Sequence, residues 1–236
     1  MKNYKNVITF NVIAMLIMGI LDMVYLIVGI PYVFKTLASV FFVSVGIVNL
    51  VFAFKFGFND NKKKRFAILM IIGLVFAMAG DILLIPASMF AVGAGLFAIG
   101  HIFFFVAYLH ISKFKWSRDF IAFIAVLIPV LELILLYQGF KFDTLMFVVV
   151  IVYAIIISLM LSKSIGNMYD KNMSKFAKWL IFAGSLMFFL SDACLLFNVF
   201  AGWGRWIDIL CLVFYYPAEI VLASSIFFAS RKGGKQ

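Results

Sequence analysis

Eight apolar stretches follow one another along the chain, at about 7–30, 32–54, 66–86, 89–111, 120–137, 144–162, 179–200 and 206–229, with polar breaks between them. Each has roughly the 17–25 residues that a tilted helix needs to cross about 30 Å of hydrocarbon. None alternates apolar and polar positions at period two, which excludes a β-barrel. In lipid the backbone must satisfy its own N–H and C=O groups, so each stretch is expected as a helix. The first stretch is too long for a signal-peptide core and lacks a small-residue cleavage site, so it counts as a span. Short breaks near Pro31, Pro86-Ala87-Ser88, Gly139 and Gly202-Trp203-Gly204 pair the helices into four hairpins.

The basic residues set an orientation. Lys2 and Lys5 precede span 1; Lys55, Lys62, Lys63, Lys64 and Arg65 follow span 2; Lys113, Lys115 and Arg118 follow span 4. Lys163, Lys171, Lys175 and Lys178 follow span 6, and Arg231, Lys232 and Lys235 end the chain. Of the 20 basic residues only Lys35, Lys141 and Arg205 lie elsewhere. By the positive-inside rule both termini are expected in the cytoplasm, with the protein in the cell membrane. The net charge of +10 therefore belongs to cytoplasmic loops and not to a nucleic-acid surface. With 66% hydrophobic and 13% charged residues, and a mean hydropathy of +1.16, the chain reads as one all-α polytopic membrane domain. Cys194 and Cys211 fall in apolar runs and read as small buried residues, not a disulfide framework. The sequon Asn172-Met173-Ser174 falls on the cytoplasmic side and reads as accidental.

Against that background the buried acids stand out. Asp81 and Asp192 lie inside spans 3 and 7, where a carboxylate costs about 2.5–3.5 kcal/mol on insertion scales and marks a pathway, a relay or a reacting centre. Their contexts rhyme: Gly80-Asp81-Ile82-Leu83-Leu84 against Ser191-Asp192-Ala193-Cys194-Leu195-Leu196. Asp22, Asp81, Glu132 and Asp192 all fall roughly 18–22 Å from the cytoplasmic end of an odd-numbered span. A fourfold hairpin repeat would leave that layer, and so would a common rejection of acids from helix centres.

The other spans add partners. Lys35 is placed either to snorkel to the outer headgroups or to pair with a carboxylate or lipid phosphate. His101 lies in mid-span 4 with Tyr108 two turns further on the same face. Tyr215, Tyr216 and Glu219 share a face of span 8, where Pro217 removes a backbone bond and is expected to kink the helix. Tyr153 in span 6 is a similar, weaker candidate. With only His101 and His110, no three-histidine zinc site is available, so no metal or other cofactor is expected. No phosphate-cradling glycine loop or nucleophile elbow is present either. Carboxylate chemistry supported by Lys, His and Tyr is what remains.

The ordered set Phe34-Lys35-Thr36-Leu37, Gly80-Asp81-Ile82-Leu83-Leu84, Gly100-His101-Ile102-Phe103-Phe104, Tyr153 with Ile157-Ser158-Leu159-Met160, Leu190-Ser191-Asp192, Asn198 and Tyr215-Tyr216 resembles the YhhN family of membrane proteins. The resemblance runs from about residue 32 to 225. It implies eight transmembrane helices and membership of a group that includes lysoplasmalogenases. Those enzymes hydrolyse the vinyl ether bond of lysoplasmalogens to a fatty aldehyde and a glycerophospho-alcohol. The resemblance also points to Lys35, Asp81, His101, Tyr108, Tyr153, Asp192, Asn198, Tyr215 and Tyr216 as site residues. Thr36 stands where the family commonly has proline, and Glu219 where it commonly has glutamine.

Vinyl ether hydrolysis begins with protonation of an alkene carbon and ends with water capturing an oxocarbenium ion. It needs one carboxylic acid that keeps its proton and one ionised carboxylate, a division that burial and mutual repulsion produce. Asp81 and Asp192 are the catalytic candidates. Lys35, His101, Tyr108, Tyr153, Asn198, Tyr215, Tyr216 and Glu219 are the substrate-binding ones. The expected partners are an alkenyl lysophospholipid, water and the bilayer, with Lys35 near the phosphate. A proton-coupled transporter or channel is the alternative that buried ionisable residues also support. An intramembrane aspartyl protease and a purely structural role are further readings.

Overall fold

A computed structural model describes residues 2–28, 30–56, 60–171 and 173–230. The basic residues Arg231, Lys232 and Lys235 and the sequon's Asn172 lie outside them, as does the side chain of Lys2. Eight helices are long and apolar enough to span a membrane, and no strand occurs among the described residues. They are α1 Lys2–Val28, α2 Pro31–Phe56, α3 Asn61–Leu83, α4 Phe90–Ile111, α5 Ile121–Leu136, α6 Thr144–Asn167, α7 Lys175–Ala201 and α8 Arg205–Ser230.

Several boundaries move from those expected, each for a local reason. The basic run Lys62–Arg65 is helix and not loop, because the Asp60 carboxylate caps α3 by accepting from the Lys62 N–H at 3.0 Å. Ser174 caps α7 in the same way at the Ala177 N–H. At the other end α3 stops at Leu83, before Pro86. Helix α6 runs past Ser162 to Asn167, so Lys163 belongs to a helix and not to the following break. A five-residue π turn, Trp116–Phe120, leads into α5. Helix α8 continues through Pro217.

Ring contacts of Tyr4 and Phe176 with Phe228 put the start of α1, the start of α7 and the end of α8 at one end of the bundle, the termini end. A bond from Arg205 to the Leu26 carbonyl joins α8 and α1 at the opposite end. The most extensive packing is of α3 along α4 and of α7 along α8. Helix α2 lies against α3 and α8, and α6 lies against α7 and α4. Exchanging the first four helices for the last four thus reproduces these contacts, a twofold and not a fourfold relation. It breaks at two places: α1 packs on both α2 and α8 whereas α5 packs extensively only on α6, and α3 packs on α8 with no comparable contact of α7 on α4.

Close approach of α3 and α4 depends on Gly80 and Gly93. A Cβ on either would lie 3.0 Å from the other's carbonyl oxygen, and backbone cannot yield as a side chain can. Helices α1, α2 and α8 are joined by a reciprocal amide pair. Asn11 and Asn49 exchange side-chain bonds of 3.0 and 2.8 Å, and the Ser224 hydroxyl donates to the Asn11 oxygen at 2.7 Å. Asn49→Ala would strip both bonds and leave a buried amide short of partners. It is expected to destabilise the fold by about 1–3 kcal/mol, read as a lowered thermal midpoint in detergent. An unchanged midpoint would show the pair to be idle.

Candidate functional site

The two aspartates occupy equivalent places in the two halves. Asp81, on α3, is met by side chains of α2 and α8; Asp192, on α7, is met by side chains of α6 and α4. What meets them differs.

Asp81 is 3% exposed. Its Oδ2 accepts from the Ser39 hydroxyl at 2.7 Å and the Tyr216 hydroxyl at 3.1 Å, and its Oδ1 lies 3.6 Å from the Lys35 ammonium. Lys35 and Ser39 sit four residues apart on one face of α2, a spacing that could have disclosed the serine from sequence. The Tyr215 hydroxyl points instead to the Ala77 carbonyl, at 3.5 Å. This centre is complete in itself, with a charge, a countercharge and two donors.

Asp192 belongs to a second centre. Its Oδ2 accepts from the Tyr153 hydroxyl at 2.6 Å and lies 3.1 Å from His101 Nε2, which is also 2.8 Å from the Tyr153 oxygen. Because Tyr153 spends its only proton on Asp192, its oxygen accepts, and this pattern assigns the imidazole proton to Nε2. His101 is wholly buried, and its Nδ1 has no partner among the described residues. The Phe188 ring packs edge-on against the imidazole, with centroids 4.6 Å apart.

Beside this centre lies a cavity of about 420 Å³, lined by α4, α5, α6 and α7. It exists because α5 stands off α4. Its walls are apolar residues such as Phe97, Val130, Ala154 and Leu196, and the polar side chains on it are Asp192 and Tyr153. The Asp192 side chain is 13% exposed, and its Oδ1 accepts no hydrogen bond from a described residue. One carboxyl oxygen is thus fixed from behind while the other is left to the chamber.

The remaining candidates fall elsewhere. Glu219, on α8, is fully buried within electrostatic range of both aspartates. Its carboxyl interacts with the Tyr215 hydroxyl, but neither oxygen reaches hydrogen-bond geometry. Tyr108 is paired with the Ser185 hydroxyl at 2.8 Å. Asn198 donates to Asp208 at 3.3 Å, tying α7 to α8. Lys35 and Asp81 do not line the chamber. Of the layer of four acids, Glu132 faces outward near the end of α5 and Asp22 is buried on α1. No group of three His, Cys, Asp or Glu side chains among the described residues is placed to hold a metal ion.

A third polar cluster, missed in the sequence, lies towards the termini end. The Lys163 ammonium donates to Asp119 Oδ2 at 3.0 Å and to Ser112 at 2.9 Å, and both members of the Lys163–Asp119 pair are fully buried. Asp119 also receives the Arg118 Nε–H at 2.7 Å and the Lys115 N–H at 3.0 Å. The pair fastens the π turn to α6.

A model of the YhhN family matches residues 30–226, which is most of the chain. No match is found among curated proteins or among solved structures.

Proposed function

The chain belongs to the YhhN family, and from that premise and the geometry above we propose that it is a lysoplasmalogenase-like hydrolase acting at Asp192. The observation that carries the reading is the carboxyl whose Oδ2 is held by Tyr153 and His101 while its Oδ1 is left to an apolar chamber. A lipid chain partitions into such a chamber, and a vinyl ether placed beside Asp192 meets an oriented acid.

In its acid form Asp192 carries the proton on Oδ1, since two donors already occupy Oδ2. That proton passes to the alkene carbon β to the ether oxygen, and the C=C electrons form the new C–H bond. The oxocarbenium ion left behind lies against the Asp192 carboxylate, which Tyr153 and His101 keep in place. Water adds to the cationic carbon and returns one proton to the carboxylate. The hemiacetal then breaks its bond to the glycerol oxygen, which leaves as the alcohol, and the carbonyl of the aldehyde forms. One water is consumed.

Asp81 has no contact with the reacting bond in this scheme. Its bond to Tyr216 joins α3 to α8, and the neighbouring Tyr215 packs on Phe188, which in turn backs His101. The test is incubation of the purified protein with alkenyl-, alkyl- and acyl-lysophospholipids. Aldehyde is expected from the alkenyl lipid alone. Absence of aldehyde while lipid binds would overturn the reading in favour of a transport role.

A further inference from the structure

The chamber extends past Asp192 and Tyr153 in two directions. Towards the termini end its wall is Ala154, Ile157 and Leu161 of α6 with Ala125 of α5. Towards the opposite end it is Val149, Ile134, Phe90 and Phe200. From Tyr153 to Leu161 is eight residues, roughly 12 Å of wall at the α-helical rise. Leu161 and Ile157 are each 3% exposed, and just beyond them Lys163 is bound to Asp119 and Ser112. The cation next to that end of the wall is thus already engaged.

The opposite end is built differently. The α5–α6 connection folds across it: the Lys141 N–H donates to the Phe200 carbonyl at 2.8 Å, and the Phe142 ring lies 4.7 Å from that of Phe200. Lys141 is therefore fixed by its backbone beside a residue of the chamber wall. Its side chain is exposed and makes no ion pair among the described residues. Lys35, by contrast, is paired with Asp81 and lies off the chamber.

We infer that a single-chain lipid lies in the chamber with its apolar chain towards Leu161 and its phosphate at Lys141. This rests on the reading of the chamber as the lipid site. It moves the phosphate from Lys35 to the mouth that Phe200 and the α5–α6 connection form, and it makes Ala154 the residue that sets the width of the chain channel.

The test separates phosphate from chain. Wild type and Lys141→Gln are compared on an alkenyl lysophospholipid and on the matching 1-O-alkenylglycerol, which has the same vinyl ether and no phosphate. Lys141→Gln is expected to raise KM for the phospholipid roughly fivefold, the size of one exposed charge pair, with kcat and the alkenylglycerol unchanged. An equal change on both lipids, or none on either, overturns the assignment of Lys141. Binding of non-hydrolysable alkyl lysophospholipids of graded chain length is measured alongside. Ala154→Phe is expected to weaken long chains more than short ones, and an unchanged length dependence overturns the chain direction. Because these binding constants do not depend on turnover, they still decide the orientation if no aldehyde forms. Failure of the wild type to bind any of these lipids sinks both readings.

Discussion

Asp192→Asn is expected to cut aldehyde release at least about a hundredfold, the lower bound of what a positioned general acid contributes, while the chamber still binds an alkyl lysophospholipid. The amide is nearly the same size as the carboxyl, and its oxygen can still accept from Tyr153 and His101. The change therefore removes the transferable proton and spares the scaffold around it. Asp81→Asn is expected to lose less, because Asp81 does not line the chamber and acts on it only through Tyr216 and its neighbours. Parallel assays of the two variants, with binding measured on each, decide between a one-centre and a two-centre mechanism. Near-normal turnover by Asp192→Asn would end the proposal. Equal losses from both variants would bring Asp81 back as a second reacting group.

Lys163→Met is expected to destabilise the protein by about 3 kcal/mol, the lower end of the range for removing one partner of a buried ion pair. The lower end applies because Asp119 keeps its bonds from Arg118 and the Lys115 N–H. Membrane proteins often unfold irreversibly, so the measurement is the shift in the temperature of half-inactivation. Adding Asp119→Asn to Lys163→Met removes the stranded charge and is expected to restore part of the loss. No shift in the single variant would mean that water replaces the ammonium at no cost.

The two predictions differ in how far each could be read from the chain. Eight helices were legible because lipid permits few backbone solutions and the apolar runs are long. Asp81 and Asp192 were legible because a carboxylate inside such a run is conspicuous. Lys163 was not. Next to an apolar run and followed by Gly166, it looks like loop charge, and only the folded chain shows that Asp119, more than forty residues earlier, meets it. The same limit applies to the aspartates' partners: spacing puts Ser39 on the face of Lys35, yet nothing local says that His101 and Tyr153 converge on Asp192 from two other helices. A four-membered layer of acids was expected from depth alone. Depth is a single coordinate, and Glu132 shares it while facing outward. The chamber was invisible for a related reason, since a void is the product of a contact that α5 does not make.

That peripheral helix has a mechanical consequence. Helix α5 has 16 residues, Ile121–Leu136, so its α-helical part reaches only about 24 Å, short of the ~30 Å of an average hydrocarbon core. The Trp116–Phe120 turn makes up the difference. A helix with one extensive neighbour is the part of the bundle least held by the others, and each ångström of hydrophobic mismatch adds fractions of a kcal/mol. Since α5 is also one wall of the chamber, a bilayer that tilts or shifts α5 would change the width of the gap between α5 and α4. The lipid around this protein would then act as a mechanical load on the chamber beside Asp192.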